Sequence, residues 1–217
     1  MKLMGENNNY PNSGMVILKD MAVDDEDNIY QVGWFNFNSN FENFGSDNTI
    51  FSNGEFDAYI VKYDKNGNLI WARTIGGEFN DVGESVMVLE DGNILFGGGF
   101  LGTVTFPNDS TYTSFYSNSS GWQRNGFLMK MNKENGEVIW INTFKDSFPK
   151  TQPTQIEKLK DSKYIIRQER TFSVYDSNNS YYGSFEMPYA SSGGIQDFTA
   201  NNNGDIFLVG SHTGSFS

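Results

Sequence analysis

Cysteine is absent from this chain, and histidine occurs once, at His212. The first absence excludes a disulfide framework and any zinc-finger pattern. Basic residues are scarce, with 15 Lys and Arg against 27 Asp and Glu for a formal net charge of −12. That balance argues against a nucleic-acid partner or an anionic membrane surface, where basic patches supply the affinity. No apolar run approaches the roughly 18 residues of a spanning helix, so no membrane insertion is expected. No Gly-rich phosphate loop opens a helix either, because Gly97 to Gly99 fall within a strand-like run. What is abundant is aromatic residues (19 Phe, 11 Tyr, 4 Trp), 23 Gly and 26 Asn. This composition is poor for disorder and suits many short strands joined by tight turns.

Two long segments repeat. Asp57-Ala-Tyr-Ile-Val-Lys-Tyr-Asp-Lys-Asn-Gly-Asn-Leu-Ile-Trp71 aligns with Asn125-Gly-Phe-Leu-Met-Lys-Met-Asn-Lys-Glu-Asn-Gly-Glu-Val-Ile-Trp140, which carries one extra turn residue. Each reads as an apolar strand, an Asx/Gly turn and a second strand with Trp near its start, which is hairpin chemistry. A second hairpin type recurs four times, at Met21–Gly33, Ser85–Gly97, more weakly from Gln155 through Lys163, and at Ile195–Gly210. Alternation of the two types gives four strands per unit, A to D. Unit one uses about 20–24, 28–35, 56–63 and 69–74; unit two uses about 84–90, 93–99, 126–132 and 137–143. Unit three uses about 154–159, 163–168, 171–175 and 181–187, and a fourth supplies only A and B, about 194–200 and 205–211.

Four-stranded antiparallel units repeated at this length indicate an all-β β-propeller. A solenoid would show shorter repeats, and a β-sandwich would not show matched hairpins. Continuous apolar runs such as Ile94-Leu-Phe and Phe127-Leu-Met fit strands buried on both faces. Small residues in strand B (Gly33, Gly97 to Gly99, Gly210) are expected to fit the taper toward the axis, and Trp71 and Trp140 to fill the wider gap between blades. The expected organisation is one propeller segment over 1–217: a partial strand in 1–14, blade one 15–76, blade two 77–147, blade three 148–190 and a partial blade four 191–217. Closed propellers have about four to eight blades, so an open arc with an unpaired C-terminal strand edge is expected.

The run Asp57 to Ala72, followed by Gly76-Gly77, Gly92-Asn93-Ile and a Gly-Gly-Phe ending at Phe100, resembles the bacterial SBBP-type β-propeller repeat. The likeness covers most of 15–143, returns at 195–210 and is degraded at 154–190. It implies an exported bacterial surface or secreted protein, with remaining blades supplied by the same longer chain or by another subunit. It carries over no catalytic residue.

Candidate sites follow from the spacing. Units one and two carry long B–C connections, roughly 36–55 and 101–124, on the same face as the D–A connections. Long loops on a rigid scaffold are where binding sits. Their aromatics Phe37, Phe41 and Phe44, and Tyr112, Phe115, Tyr116 and Trp122, form an aromatic-polar set suited to a protein or glycan. The competing reading, that these insertions extend the hairpins and their rings close the blade edge, is the more economical. Calcium is a candidate at the acidic turns Asp24–Asn28, Asp64/Asn66/Asn68 and Asn201–Asp205, whose spacing can place several oxygens on one loop. They lack the terminal bidentate Glu of an EF-hand, and Asx-Gly turns serve hairpins anyway. His212 has no Gly-x-Ser-x-Gly elbow and lacks the motif context of streptogramin lyases, propellers that use a histidine base. The Asn135–Trp140 run resembles quinone-dependent dehydrogenase repeats too briefly to assign a site. The reading is therefore a non-enzymatic binding or scaffolding module without cofactor; the alternative is a lyase, glycoside hydrolase or quinone-dependent oxidoreductase with its site on the loop face.

Overall fold

The computed structural model describes residues 15–36, 38–40, 49–106, 125–144, 155–187, 195–201 and 205–210. Every described element is a strand. Blade one contains β1 (Val16–Val23), β2 (Ile29–Phe35), a small hairpin β3 (Asn38–Asn40)/β4 (Thr49–Phe51), β5 (Asp57–Tyr63) and β6 (Leu69–Gly77). Blade two contains β7 (Val82–Val88), β8 (Ile94–Phe100), β10 (Asn125–Met131) and β11 (Val138–Phe144), and the short β9 (Val104–Thr105) between β8 and β10 pairs with blade one instead. Blade three is β12 (Gln155–Lys158), β13 (Lys163–Gln168), β14 (Thr171–Asp176) and β15 (Tyr181–Glu186). The hairpin β16 (Ile195–Ala200)/β17 (Ile206–Gly210) begins a fourth.

Within blades one to three the strands form an antiparallel A-B-C-D meander, and among the described residues the sheets do not close on one another. Neighbouring blades meet along their A strands, β1 on β7, β7 on β12 and β12 on β16, which places strand A at the axis. Strand C is buried on both faces in blades one and two, which is why it reads as an unbroken apolar run. Alternate side chains of one strand serve two interfaces. In blade two, Phe127, Met129 and Met131 join Tyr30, Val32, Ala58, Ile60 and Trp71 of blade one. Leu128 of the same strand instead joins Ile156, Tyr164 and Ile166 of blade three.

Glycines in strand B serve a different purpose from the expected taper. Strand A bulges at Leu18/Asp20 and again at Gly83/Ser85. There the bulged backbone presses on strand B: a Cβ on Gly33 would lie 1.8 Å from the Ile17 carbonyl oxygen, and one on Gly98 2.1 Å from that of Val82. Glycine is needed for strand-to-strand approach next to a bulge, one strand away from the axis. The two tryptophans do fill the gaps between blades. Trp71 is buried, and its Nε1 donates to the Lys133 carbonyl of blade two at 3.1 Å; Trp140 packs on the cluster shared with blade three.

Candidate functional site

Three sets of polar groups organise the described residues. The first lines the axis. Just past the bulge, Asp20 Oδ2 accepts from Ser85 Oγ (2.8 Å) and from the Val86 amide (2.9 Å), joining blade one to blade two. Ser85 Oγ in turn accepts from the Ile156 amide at 3.0 Å, joining two to three. Gln155 Nε2 donates to Asp197 Oδ1 (2.6 Å) and the Phe198 carbonyl (2.7 Å), joining three to four. Glu157 sits in this ladder, and its carboxyl titrates above the ordinary range because of burial, with Asp197 and Asp20 adding repulsion. Sequence reasoning missed the ladder, although its signal was present: a polar residue recurs near the same position of each A strand (Asp20, Ser85, Gln155, Asp197).

The second set lies on the A–B and C–D turn face. Lys62 of β5 is buried, 4.0 Å from Asp24 Oδ2 and 5.3 Å from the Tyr30 ring centroid, and donates to the Lys133 carbonyl across the blade boundary at 2.9 Å. Lys130 of β10 repeats the arrangement, 2.7 Å from Asp91 Oδ2 and donating to the Ser177 carbonyl of blade three at 3.3 Å. Each is an interblade latch: a strand-C lysine takes an acid from its own A–B turn and a carbonyl from the next blade's C–D turn. Burial pushes Asp24 upward, but hydrogen bonds from the Asn28 side chain and amide, from Tyr30 and from the Glu26 amide outweigh it, leaving its carboxyl below the usual range. Blade three has Val174 and Gly183 where blade one has the Lys62/Trp71 pair.

The calcium candidates fall on this face. Asp64 accepts from the Asn66 amide, the Asn68 amide and Asn68 Nδ2, each at 2.8 Å, so the carboxylate closes its own turn. Those bonds, led by the Asn68 side chain, hold its carboxyl below the ordinary range. The Asp24 carboxylate is occupied in the same way, and Asn201 and Asp205 bond to one another. Among the described residues, no three His, Cys, Asp or Glu side chains gather as a metal site would require.

The third set holds the loop face. Asp81 is fully buried between two connections: Oδ2 accepts from the Gly77 amide at 2.9 Å and Oδ1 from the Leu101 amide at 3.0 Å. It fixes the root of the second insertion against the end of β6, where β9 adds a fifth strand to blade one through Gly76↔Thr105 and Gly77↔Val104. Asp57 is also fully buried. Its Oδ2 accepts from the Asn53 amide at 2.8 Å, whereas Oδ1 has no hydrogen-bond partner among the described residues. Burial pushes its carboxyl up to about 6, against the amides of Asn53 and Gly54.

The described parts of both insertions are structural. β3/β4 is a hairpin extension between strands B and C, and Phe106 is buried 6.2 Å from Phe100 and 5.7 Å from Phe127. Phe79, in the D–A connection over Gly102, is an exposed aromatic that the sequence did not single out. Phe37, Phe41, Phe44, Tyr112, Phe115, Tyr116, Trp122 and His212 lie outside the described residues.

Repeated four-stranded antiparallel blades meeting along their inner strands define the chain as an open arc of β-propeller. Comparison with one solved structure agrees. A protein of unknown function from Bacteroides caccae superposes with a TM-score of 0.50 at 16% identity, over 89% of this chain and 53% of that one. A catalytically inactive virginiamycin B lyase from Staphylococcus aureus, solved with quinupristin, gives 0.41 at 12% identity over 89% and 63%. In sequence, an uncharacterised WD repeat-containing protein of Acanthamoeba polyphaga mimivirus is 28% identical over 126 residues, which is 55% of this chain but 9% of the relative. No family model matches the chain.

Proposed function

We propose that this arc is a non-enzymatic binding or scaffolding segment of a larger propeller, in an exported bacterial surface or secreted protein of the SBBP repeat type. Its ligand is a protein or a glycan, met by the long B–C insertions. The observation that carries this reading is the use made of the buried loop-face carboxylates. Asp81 spends both oxygens on the roots of loops, and Asp57 faces its own connection, so the scaffold presents the insertions from a fixed base. The WD-repeat likeness, which covers a small share of a much longer chain, supports a module within an array.

The test is a glycan array and a panel of surface proteins probed with the purified chain and two triple variants. One carries Phe37→Ala, Phe41→Ala and Phe44→Ala; the other carries Tyr112→Ala, Tyr116→Ala and Trp122→Ala. Saturable binding lost in either triple variant is the expected result. Turnover of a glycoside, a streptogramin ester or a quinone-coupled alcohol by the unaltered chain overturns the non-enzymatic reading.

A further inference from the structure

The fourth blade stops at its second strand among the described residues, and the register of the other blades specifies what fits there. Among the described residues β17 pairs with β16 alone, and Phe207 and Val209 are 54% and 62% exposed. Tyr30 and Val32, at the same positions of blade one, are fully buried. The correspondence comes from the bulge: Gly210 opposes Ile195 as Gly33 opposes Leu18, and Val209 opposes Asp197 as Val32 opposes Asp20. Phe207 therefore occupies the place of Tyr30, and of Leu95 in blade two.

Opposite that place, blades one and two put the same chemistry, whereas blade three sets Val174 against Ile165. Tyr30 faces Lys62 across the B–C register, and Leu95 faces Lys130. Lys62 needs an aromatic or apolar floor and an acid in the A–B turn, and blade four offers both. Phe207 is the floor. The turn keeps the Asp/Asn pair with its ends exchanged: Asn28 Nδ2 donates to Asp24 Oδ2 at 3.0 Å in blade one, and Asn201 Nδ2 donates to Asp205 Oδ2 at 2.8 Å in blade four.

The trailing face of blade three continues the surface. Phe185 lies where Arg73 reaches the Asn135 carbonyl of the next C–D turn, and it stacks on Phe172 with ring centroids 5.0 Å apart, half-exposed. An incoming C–D turn would cover it.

We infer that the β17 edge is a strand-acceptor site for a C–D β-hairpin bearing a lysine opposite Phe207. The occupant is apolar on both faces apart from that lysine, after the pattern Tyr59-Ile-Val-Lys-Tyr-Asp64 and Phe127-Leu-Met-Lys-Met-Asn132. Backbone hydrogen bonds to the open edge supply affinity, and the lysine over Phe207 beside Asp205 sets register. The site rests on the propeller reading but not on the loop-face ligand, so either can fail without the other.

The probe is a synthetic hairpin with the sequence of Asn125–Phe144, titrated into the whole chain. Expected are saturable binding and slowed amide exchange in residues 206–210, with 195–200 slowed alongside because the two strands open together, and no change in β8 and β10. Phe207→Lys, which alters an exposed side chain and whose fold circular dichroism checks, weakens binding at least about tenfold through like charges facing across strands. A Lys130→Glu hairpin restores binding to that variant. Asp205→Asn weakens the lysine hairpin but leaves a Lys130→Met hairpin unaffected. Absence of binding, indifference to both charge changes, or protection of 206–210 by self-association that excludes the hairpin each overturns the proposal.

Discussion

Asp57 shows what a single carboxyl contributes when its repeat counterpart is neutral. The same strand-C position in blade two is Asn125, also buried, so the fold needs an acceptor there but not a charge. Burial raises Asp57 from 3.8 in the open chain to about 6. Below pH 3.8 both states hold the proton and the group has no effect on folding. Between 3.8 and 6 the unfolded chain ionises first, so stability falls as pH rises; above 6 the penalty is constant, about 3 kcal/mol. Asp57→Asn keeps an oxygen for the Asn53 and Gly54 amides and removes that slope. Urea melts at pH 4 and pH 7 should show the variant gaining most at pH 7, and an unchanged difference between the two pH values would sink the argument. Lys62 is the converse case, a charge the site does need. Lys62→Met leaves Asp24 without its cation and the Lys133 carbonyl with Trp71 alone, which should cost about 3 kcal/mol. Lys65→Met, on the exposed turn nearby, should leave the urea midpoint unchanged.

At the scale of the strand, glycine acts in two ways that one substitution separates. Gly98→Ala places a Cβ 2.1 Å from the Val82 carbonyl and 2.7 Å from the Phe127 ring, inside a sheet with nowhere to relax, for a loss of at least about 2 kcal/mol. Gly67→Ala meets no atom within 4 Å and is disfavoured only by its φ of +83°, a loss of about 1 kcal/mol. Equal losses in denaturant titration would show that the bulge does not press on strand B as the structure has it. These two glycines also mark what the sequence could and could not disclose. Gly67 and Gly136 stand in Asx turns between matched apolar runs, a local pattern, and the hairpins could be read directly from it. The meander was legible because burial on both faces writes strand C as an unbroken apolar run. Gly98 depends on the backbone of another strand, so its purpose was not legible. The same holds for β9, two residues whose partner lies nearly 30 residues back in the chain. Lys62 and Lys130 read as polar interruptions of strands, since the carbonyls that hold them belong to the next blade.

For the molecule as a whole, the latches decide where the arc opens. Blades one and two are joined by a lysine, a tryptophan and the Asp20–Ser85 ladder, and blades two and three by Lys130, Trp140 and Ser85. Blade three presents Val174 and Gly183 instead of a lysine–tryptophan pair, so its seam with blade four rests on Gln155, on Arg167 reaching the Ile195 and Gln196 carbonyls, and on a small apolar cluster of Ile165, Phe172 and Phe198 with Val174, Ile195 and Ile206 packed against it. Exposed backbone hydrogen bonds and fewer buried apolar contacts lower the free energy of local opening. Amides of 195–200 and 206–210 should therefore exchange at least about a hundredfold faster than those of β8 and β10, in a cooperative step that leaves blades one and two closed. The negative charge of the chain works in the same direction, since Asp197 and Glu157 face one another across this seam and repel. Raising ionic strength should slow the opening of blade four while leaving β8 and β10 unchanged, because screening reaches a half-exposed carboxylate pair more than a buried core. Mass-resolved hydrogen exchange at two salt concentrations measures both effects. Uniform protection across the four blades would mean that the axis ladder alone holds the arc and that the lysine and tryptophan latches add nothing to it.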